Sequence, residues 1–476
     1  MAVATQDFDD TIVVCGGGLA GHMAALYLSI RLGRARRLVL LPDAGTSEHD
    51  GMYGSVTAPN GYEFFRLLGL DEPRLIQQSA TSYSFGTHFR AWPAPNREWV
   101  QCHHAPLAGV KGVAFQDHLT RQKLDLQTLL VSAAAARAGV FAHPPQDPRI
   151  PLSRAEYGYQ FDPAELAGLL AGRIPSADIN VVSGEIADVT VSNGSIEALT
   201  LSSGDRITGG LFLDCSGPSR LLLSALPSAF EAERSVSAER ESTPSETLGG
   251  SARLLEATDT GWAATTYLQD RSVRLYISDA DHGNGVEIGR VPEAWTGNCV
   301  GIGHAAYVIE PLTPAPLMLL QADLERLIEL IPVAPNMQME RQEYNRRFDN
   351  DVLHAGLFQS ALFTGLNPPT SPYWQTVVAC APSEALDRKI SQFEHRGGLV
   401  RYDLEPFDDA DWLILHNGMG RKPSQYDRQA NGTPQDVMNK QFAGLQNSIQ
   451  QVVSRMPSHH DYVLNLKRYL AKQSKS

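Results

Sequence analysis

The stretch that decides the fold is Thr11–Ala25, TIVVCGGGLAGHMAA. Ile12, Val13 and Val14 form a short apolar run that meets Gly16-x-Gly18-x-x-Gly21, and an apolar helical pattern follows. A buried strand turning sharply into a helix reads this way. Gly16 permits the turn, Gly18 lets the backbone approach a pyrophosphate, and Gly21 lets the helix pack closely on the strand. Free N–H groups and the positive end of the helix dipole would hold the phosphates, with Leu19 and Ala20 in that first turn. An ordinary Gly-rich turn is the competing reading. The strand, the helix and the N-terminal position together favour a dinucleotide site.

Working outward, Arg37–Leu41 reads as the second parallel strand. An acidic residue closing that strand commonly takes the ribose hydroxyls. Here Pro42 stands there and Asp43 follows, so ribose acceptor and solvated turn residue are equal readings of Asp43. Lys123–Ala138 has helical apolar spacing, and 177–208 alternates like antiparallel strands with turns at Asn193-Gly194 and Ser203-Gly204. Leu211–Leu213 reads as a buried strand ending in Asp214-Cys215-Ser216-Gly217. The charged, Ser-rich segment Glu231–Glu246 reads as a surface loop. Strands are expected near Ala263–Tyr267 and Val273–Ile277, and an amphipathic helix over Leu317–Leu330. Thr433-Pro434-x-Asp436 announces the last long helix, with Thr433 as its cap and Phe442, Leu445, Ile449 and Val452 or Val453 as its stripe.

At 476 residues the chain exceeds one ordinary core. Apolar content of 43% and charged content of 20% are those of a globular protein. A net charge of −13 argues against nucleic acid or an anionic membrane as partner. The cysteines Cys15, Cys102, Cys215, Cys299 and Cys380 are scattered and odd in number, which suits a reducing compartment without structural zinc. With neither a signal-peptide pattern nor an apolar run of about 18 residues, a cytoplasmic protein is expected.

Three Gly-bearing segments lie far apart, beginning near Gly16, Asp214 and Gly301. That arrangement recurs in flavoproteins whose FAD domain is interrupted by a substrate-binding sheet. The first segment would take the pyrophosphate and Asp214–Gly217 the adenosine half. Gly303, His304, Ala305 and Ala306 would lie against the ribityl chain and ring. No second fingerprint precedes another helix, so no separate NAD(P)H domain is evident.

The whole chain resembles the flavin-dependent tryptophan halogenase family. The likeness rests on the order and spacing of TIVVCGGGLAGHMAALYLSIRLG (11–33), GSVTAPNGYEFFRLLGLDE (54–72), YGYQFDPAEL (157–166), LFLDCSGPSRLL (211–222) and GIGHAAYVIEPL (301–312), then EYNRRFDND (343–351), LNPPTSPYW (366–374) and MPSHHDYV (456–463). The resemblance implies an α/β fold: a Rossmann-like FAD domain of the aromatic-hydroxylase type, interrupted by a mixed or antiparallel substrate-domain sheet and followed by C-terminal helices. On this chain the FAD core would run over 1–430, in segments near 8–60, 155–225 and 295–335. Substrate-binding parts would fall near 61–154, 226–294 and 336–430, with helices over 431–476. The resemblance also implies a small-molecule substrate reached by a tunnel and FADH2 from a partner flavin reductase. A homodimer stays open.

The family's halogenating members pass oxidised halide down the tunnel to a lysine amine. In the matching stretch SATSYSFGTHF (79–89) that position falls on Ser84, and the first lysine of the chain is Lys111. The family's G-W-x-W-x-I-P reads here Gly261-Trp262-Ala263-Ala264-Thr265-Thr266-Tyr267. Its E-P-L-E-S-T-G reads Glu310-Pro311-Leu312-Thr313-Pro314-Ala315-Pro316, so the substrate-facing acid becomes Thr313 and prolines remove backbone donors a halide would need. These losses point to a non-halogenating flavin oxidoreductase, most simply a monooxygenase. A dehydrogenase or oxidase, or a silent flavoprotein partner subunit, are the alternatives, and a genuine halogenase comes last. His304, His88 and Ser84 are candidate catalytic residues, with His103, His104 and His118 also able to border the substrate cavity. Trp92, Trp99 and Trp262 would line an aromatic pocket or serve the core, with Ser84 and Thr313 beside the substrate. Glu310 reads as structural. His103-His104 lacks partners for a metal site.

Overall fold

A computed structural model describes residues 9–473 except 46, 93, 107–108, 110–111, 281–284, 366–370 and 381–382. Lys111 and the first five residues of the LNPPTSPYW motif therefore lie outside the described residues.

Ile12, Val13 and Val14 are completely or nearly enclosed, because the strand Thr11–Cys15 lies inside a six-stranded sheet. It pairs in parallel with Leu211–Asp214 on one side and Arg37–Leu41 on the other. Cys299–Gly301 extends the parallel sheet beyond Leu211–Asp214, and Asn180–Val181 extends it beyond Arg37–Leu41. Asn180–Val181 thus leaves the antiparallel reading of 177–208. The rest of that stretch forms the expected ladder of Ile186–Ser192, Ser195–Leu201 and Arg206–Ile207. Its Asn193-Gly194 turn has positive φ at both residues, as a tight hairpin requires.

A second, eight-stranded sheet is mixed, with one parallel pairing between Arg253–Thr258 and Thr87–Arg90. One of its central members corrects the sequence reading. Residues Glu231–Pro244 form a 14-residue strand, not a loop, paired with Arg271–Asp279 and Val286–Arg290. Two ladders satisfy its backbone, and its polar side chains work in ion pairs: Arg234 with Glu310, and Arg240 with Asp162. Strand preference here comes from neighbours, not from apolar alternation.

Two helix expectations also shift. Over Lys123–Ala138 a 3₁₀ turn at Leu126–Leu129, capped by Asp125, precedes the helix Val131–Ala138. The helix Ala315–Glu329 matches the amphipathic reading of Leu317–Leu330. Near the C-terminus the cap is Pro434, and Thr433 makes no side-chain cap. The helix Gln435–Val453 buries Met438, Phe442 and Ile449, and a further helix, His459–Gln473, follows it. Among the described residues no helix is long and apolar enough to cross a membrane.

Candidate active site

The sheet register assembles the cofactor cradle. Cys15 pairs with Asp214, and Asp214 with Gly301, so three distant segments end at one edge of the parallel sheet. Ligands bind at that carboxyl edge in open α/β sheets. A Cβ on Gly21 would stand 1.9 Å from the Gly16 carbonyl oxygen, and one on Gly16 would stand 2.3 Å from that of Cys215. These glycines are required by close packing of helix, strand and neighbouring loop.

Gly18 is different. Its φ of −85° suits any residue, and the nearest atoms to a Cβ there would be those of the Asp50 carboxylate, at 2.9 Å. The Leu19 N–H donates to Asp50 Oδ2 at 2.8 Å. The helix N-terminus thus already holds an anion, supplied by the chain itself, where the fingerprint would place a pyrophosphate. Burial raises the Asp50 carboxyl to about 6, against the Leu19 N–H, which lowers it. Three residues further on, Tyr53 stacks on His304 with centroids 3.6 Å apart, and its hydroxyl accepts the His304 N–H at 3.0 Å. A Cβ on Gly303 would stand 2.2 Å from that hydroxyl. The cradle therefore fits a pyrophosphate in shape and in the charge it attracts, provided Asp50 withdraws. Neither Asp50 nor Tyr53 was expected from the sequence. The signal available was a second acid beyond the closing end of Arg37–Leu41.

Asp214 is enclosed, and its carboxylate accepts the N–H groups of Ser216, Leu222 and Leu223 and the Ser216 hydroxyl. It shapes the loop that closes the cradle. Asp43 accepts the Gly184 N–H at 2.8 Å, which ties two loops together. Ala305 and Ala306 are buried beneath the same edge, where Ala306 accepts the Val291 N–H. His304 is buried, and burial lowers its imidazole to about 3.

If Asp50 competes for the helix N-terminus, Asp50→Asn is expected to tighten FAD binding about tenfold. That is ~1.4 kcal/mol, close to the low end of what a hydrogen bond to a charged group is worth. Wild-type affinity should rise as the pH falls through about 6, because protonation removes the competing charge. Calorimetry of both proteins on either side of that pH checks this, and equal affinities with equal pH dependence would refute it.

A cavity of about 220 Å³ opens beside the segment that follows the cradle. Phe89, Leu312, Pro314, Met318, Phe358 and Phe407 give it an apolar wall. Gln101, His103, Glu156, Thr313, Asp408 and Asp411 give it a polar side. No lysine or arginine is among its described lining residues. The Gln101 Oε1 and His103 Nε2 atoms have no hydrogen-bond partner. Burial, and then Asp408 and Glu156, raise the Asp411 carboxyl to about 7. Burial lowers His103 to about 4, leaving a neutral ring with a free nitrogen. The floor is fixed by Arg253, whose buried guanidinium donates to the Pro311 and Leu312 carbonyls at 2.7 and 2.5 Å.

The structure brings Thr313 and His103 into this cavity but not the other expected substrate or catalytic residues. Ser84 is buried, with its hydroxyl donating to the Gly86 carbonyl at 2.9 Å and accepting the Gly86 N–H at 3.1 Å. His88 lies 3.0 Å from Glu98, outside the cavity lining. Trp92 and Trp262 belong to the packed interior, where the indole N–H of Trp92 donates to the Leu362 carbonyl. Trp99 stacks on Phe89 at 4.5 Å. Trp262 and Tyr373 donate to Glu310 at 2.6 Å each, and Arg234 donates to its other oxygen at 2.6 Å. That node anchors Glu310 at the head of the cavity segment. His118 is buried, and His104 lines a separate groove.

The tryptophan halogenase family model matches residues 11–236 and 257–435, and the chain belongs to that family. It is 23% identical to a tryptophan 6-halogenase of Streptomyces toxytricini, over 95% of this chain and 97% of that one. It is also 23% identical to a 7-chloro-L-tryptophan 6-halogenase of Kutzneria sp. (strain 744), over 96% and 99%. Among solved structures, flavin-dependent halogenases from Brevundimonas sp. BAL3 and Xanthomonas campestris superpose with a TM-score of 0.87 each. Their identities are 23% and 22%, they cover 96% of this chain, and 99% and 98% of their own chains are matched. FAD is the cofactor of this family of flavin-dependent enzymes, in agreement with the sequence expectation.

Proposed function

We propose that this chain is a non-halogenating, FAD-dependent monooxygenase that takes FADH2 from a separate flavin reductase and acts on a small aromatic molecule. The observation that carries the reading is the absence of an amine from the described lining of the cavity beside Leu312–Pro314. When bound, the reduced flavin supplies the electrons that activate oxygen. The helix N-terminus at Gly18–Leu19 and the Gly303–Ala306 segment are the residues that would hold it. Phe89, Phe358 and Phe407 would exclude water and orient an aromatic body. His103, neutral near physiological pH, would accept a proton at Nε2. A second reading, a catalytically silent partner subunit, is favoured by Asp50 and Tyr53 standing within the cradle.

The acceptor-rich side of the cavity favours a protonated amine and offers a carboxylate no cation. Of two indole probes, tryptamine is expected to bind at least about tenfold more tightly than tryptophan. Equilibrium dialysis of both tests this, and preference for tryptophan would count against the assignment. Assays with FADH2, oxygen and halide test the larger proposal, since a halogenated product would overturn it.

A further inference from the structure

A second cavity, of about 400 Å³, lies at the far end of the helix Asp409–Gly418. Asp411 borders the first cavity and Asn417 the second, so ~9 Å of helix rise separates them. The lining of the second cavity holds the cations Arg97, Arg121, Lys123, Arg421 and Lys422. In a chain of net charge −13 this is a local inversion of sign.

None of those cations is ion-paired among the described residues, whereas Arg271 sits on both Asp162 and Glu165, and Arg347 on both Glu343 and Glu329. The arginines donate to backbone carbonyls instead: Arg97 to Asn417 and Gly418, Arg121 to Ala430 and Thr433, Arg421 to Ala361 and Thr364. Carbonyl partners satisfy N–H groups but do not cancel charge. The acid in the lining, Asp125, accepts the Gln127 N–H as a helix cap. Gln116, only 8% exposed, lines the same cavity with its Oε1 unpartnered. Arg421 is also 8% exposed, and burial lowers it to about 10 even though the charge of the nearby Glu394 raises it. Leu119, Leu124, Pro423 and Tyr426 add an apolar and aromatic wall. The volume lies within the range of ordinary small-molecule sites, about 300–1,000 Å³.

We propose that this pocket binds a small multivalent organic anion, a phosphate-bearing molecule of nucleotide size, at a site distinct from the cofactor cradle. Its unpaired cations take the phosphates, and the Tyr426 wall takes the organic body. A concave pocket of this size fits a small molecule better than the face of an acidic protein.

ADP is the probe, and calorimetry on the Gly18→Val protein isolates the pocket, since that substitution is expected to close the cradle. ADP is expected to bind once per chain and more weakly as salt is added. Adenosine should bind at least about tenfold more weakly than ADP, and the double variant Lys123→Gln/Lys422→Gln should lose about tenfold or more in ADP affinity. That double variant should keep wild-type FAD affinity when both changes are made in the otherwise unaltered chain. If Gly18→Val does not fold, wild-type protein saturated with FAD serves instead. Failure of ADP to bind, equal binding of adenosine, or an unchanged double variant each overturns the proposal.

Discussion

Supplied with FADH2, oxygen and chloride or bromide, the protein is expected to leave tryptophan and other indoles unhalogenated, a complete loss relative to halogenating relatives. Ser84 stands where the resemblance places the lysine, and its hydroxyl is engaged twice with Gly86. A hydroxyl cannot carry an electrophilic halogen as an amine does. The resemblance places Thr313 where halogenating relatives carry an acid, and Pro314 and Pro316 offer no N–H to a halide. Restoring only Ser84→Lys is not expected to rescue activity. The position is fully enclosed, and an ammonium placed there without an acid would cost several kcal/mol, about 3–5 where a buried charge lacks its partner. Mass spectrometry of the products checks both statements against a heat-killed control.

The second large effect concerns Gly18. Gly18→Val is expected to lower FAD affinity by at least about a hundredfold, ~2.7 kcal/mol, because a side chain would stand between the helix N-terminus and the pyrophosphate. The protein should still fold. Its φ of −85° is open to valine, and the nearest atoms to the new Cβ are the oxygens of the Asp50 side chain, the far end of a side chain and not backbone. Gly21→Val makes the contrasting case, since its Cβ would meet the Gly16 carbonyl at 1.9 Å, backbone that cannot retreat. Circular dichroism should therefore be native for the first variant and disrupted for the second. Calorimetry showing unchanged FAD affinity in folded Gly18→Val would contradict the cradle assignment.

The parts of the fold legible in the sequence were those whose signal is local. Ile12–Val14 with the glycine fingerprint, Leu211–Leu213, and the Asn193-Gly194 hairpin each carry strand and turn chemistry within a few residues. The strand Glu231–Pro244 was not legible, because its stability lies in two ladders and in ion pairs with Asp162 and Glu310. The candidate site divides in the same way. Thr313 and His103 reach the cavity, but its carboxylates come from Glu156, Asp408 and Asp411, which only the packing of distant elements brings together. Trp92 and Trp262 looked suited to an aromatic pocket, yet both serve the interior. Asp50 escaped notice because an acid beside a phosphate-binding glycine runs against the chemistry expected there.

The central claim, oxygen transfer in place of halogenation, is tested most directly by one reaction. The FADH2-loaded protein is mixed with ¹⁸O₂ and chloride in the presence of tryptamine and a panel of other aromatic amines, and the products are weighed by mass spectrometry. The account predicts a product carrying one labelled oxygen and no chlorine. A chlorinated product, or release of peroxide across the whole panel with no labelled organic product, would contradict it.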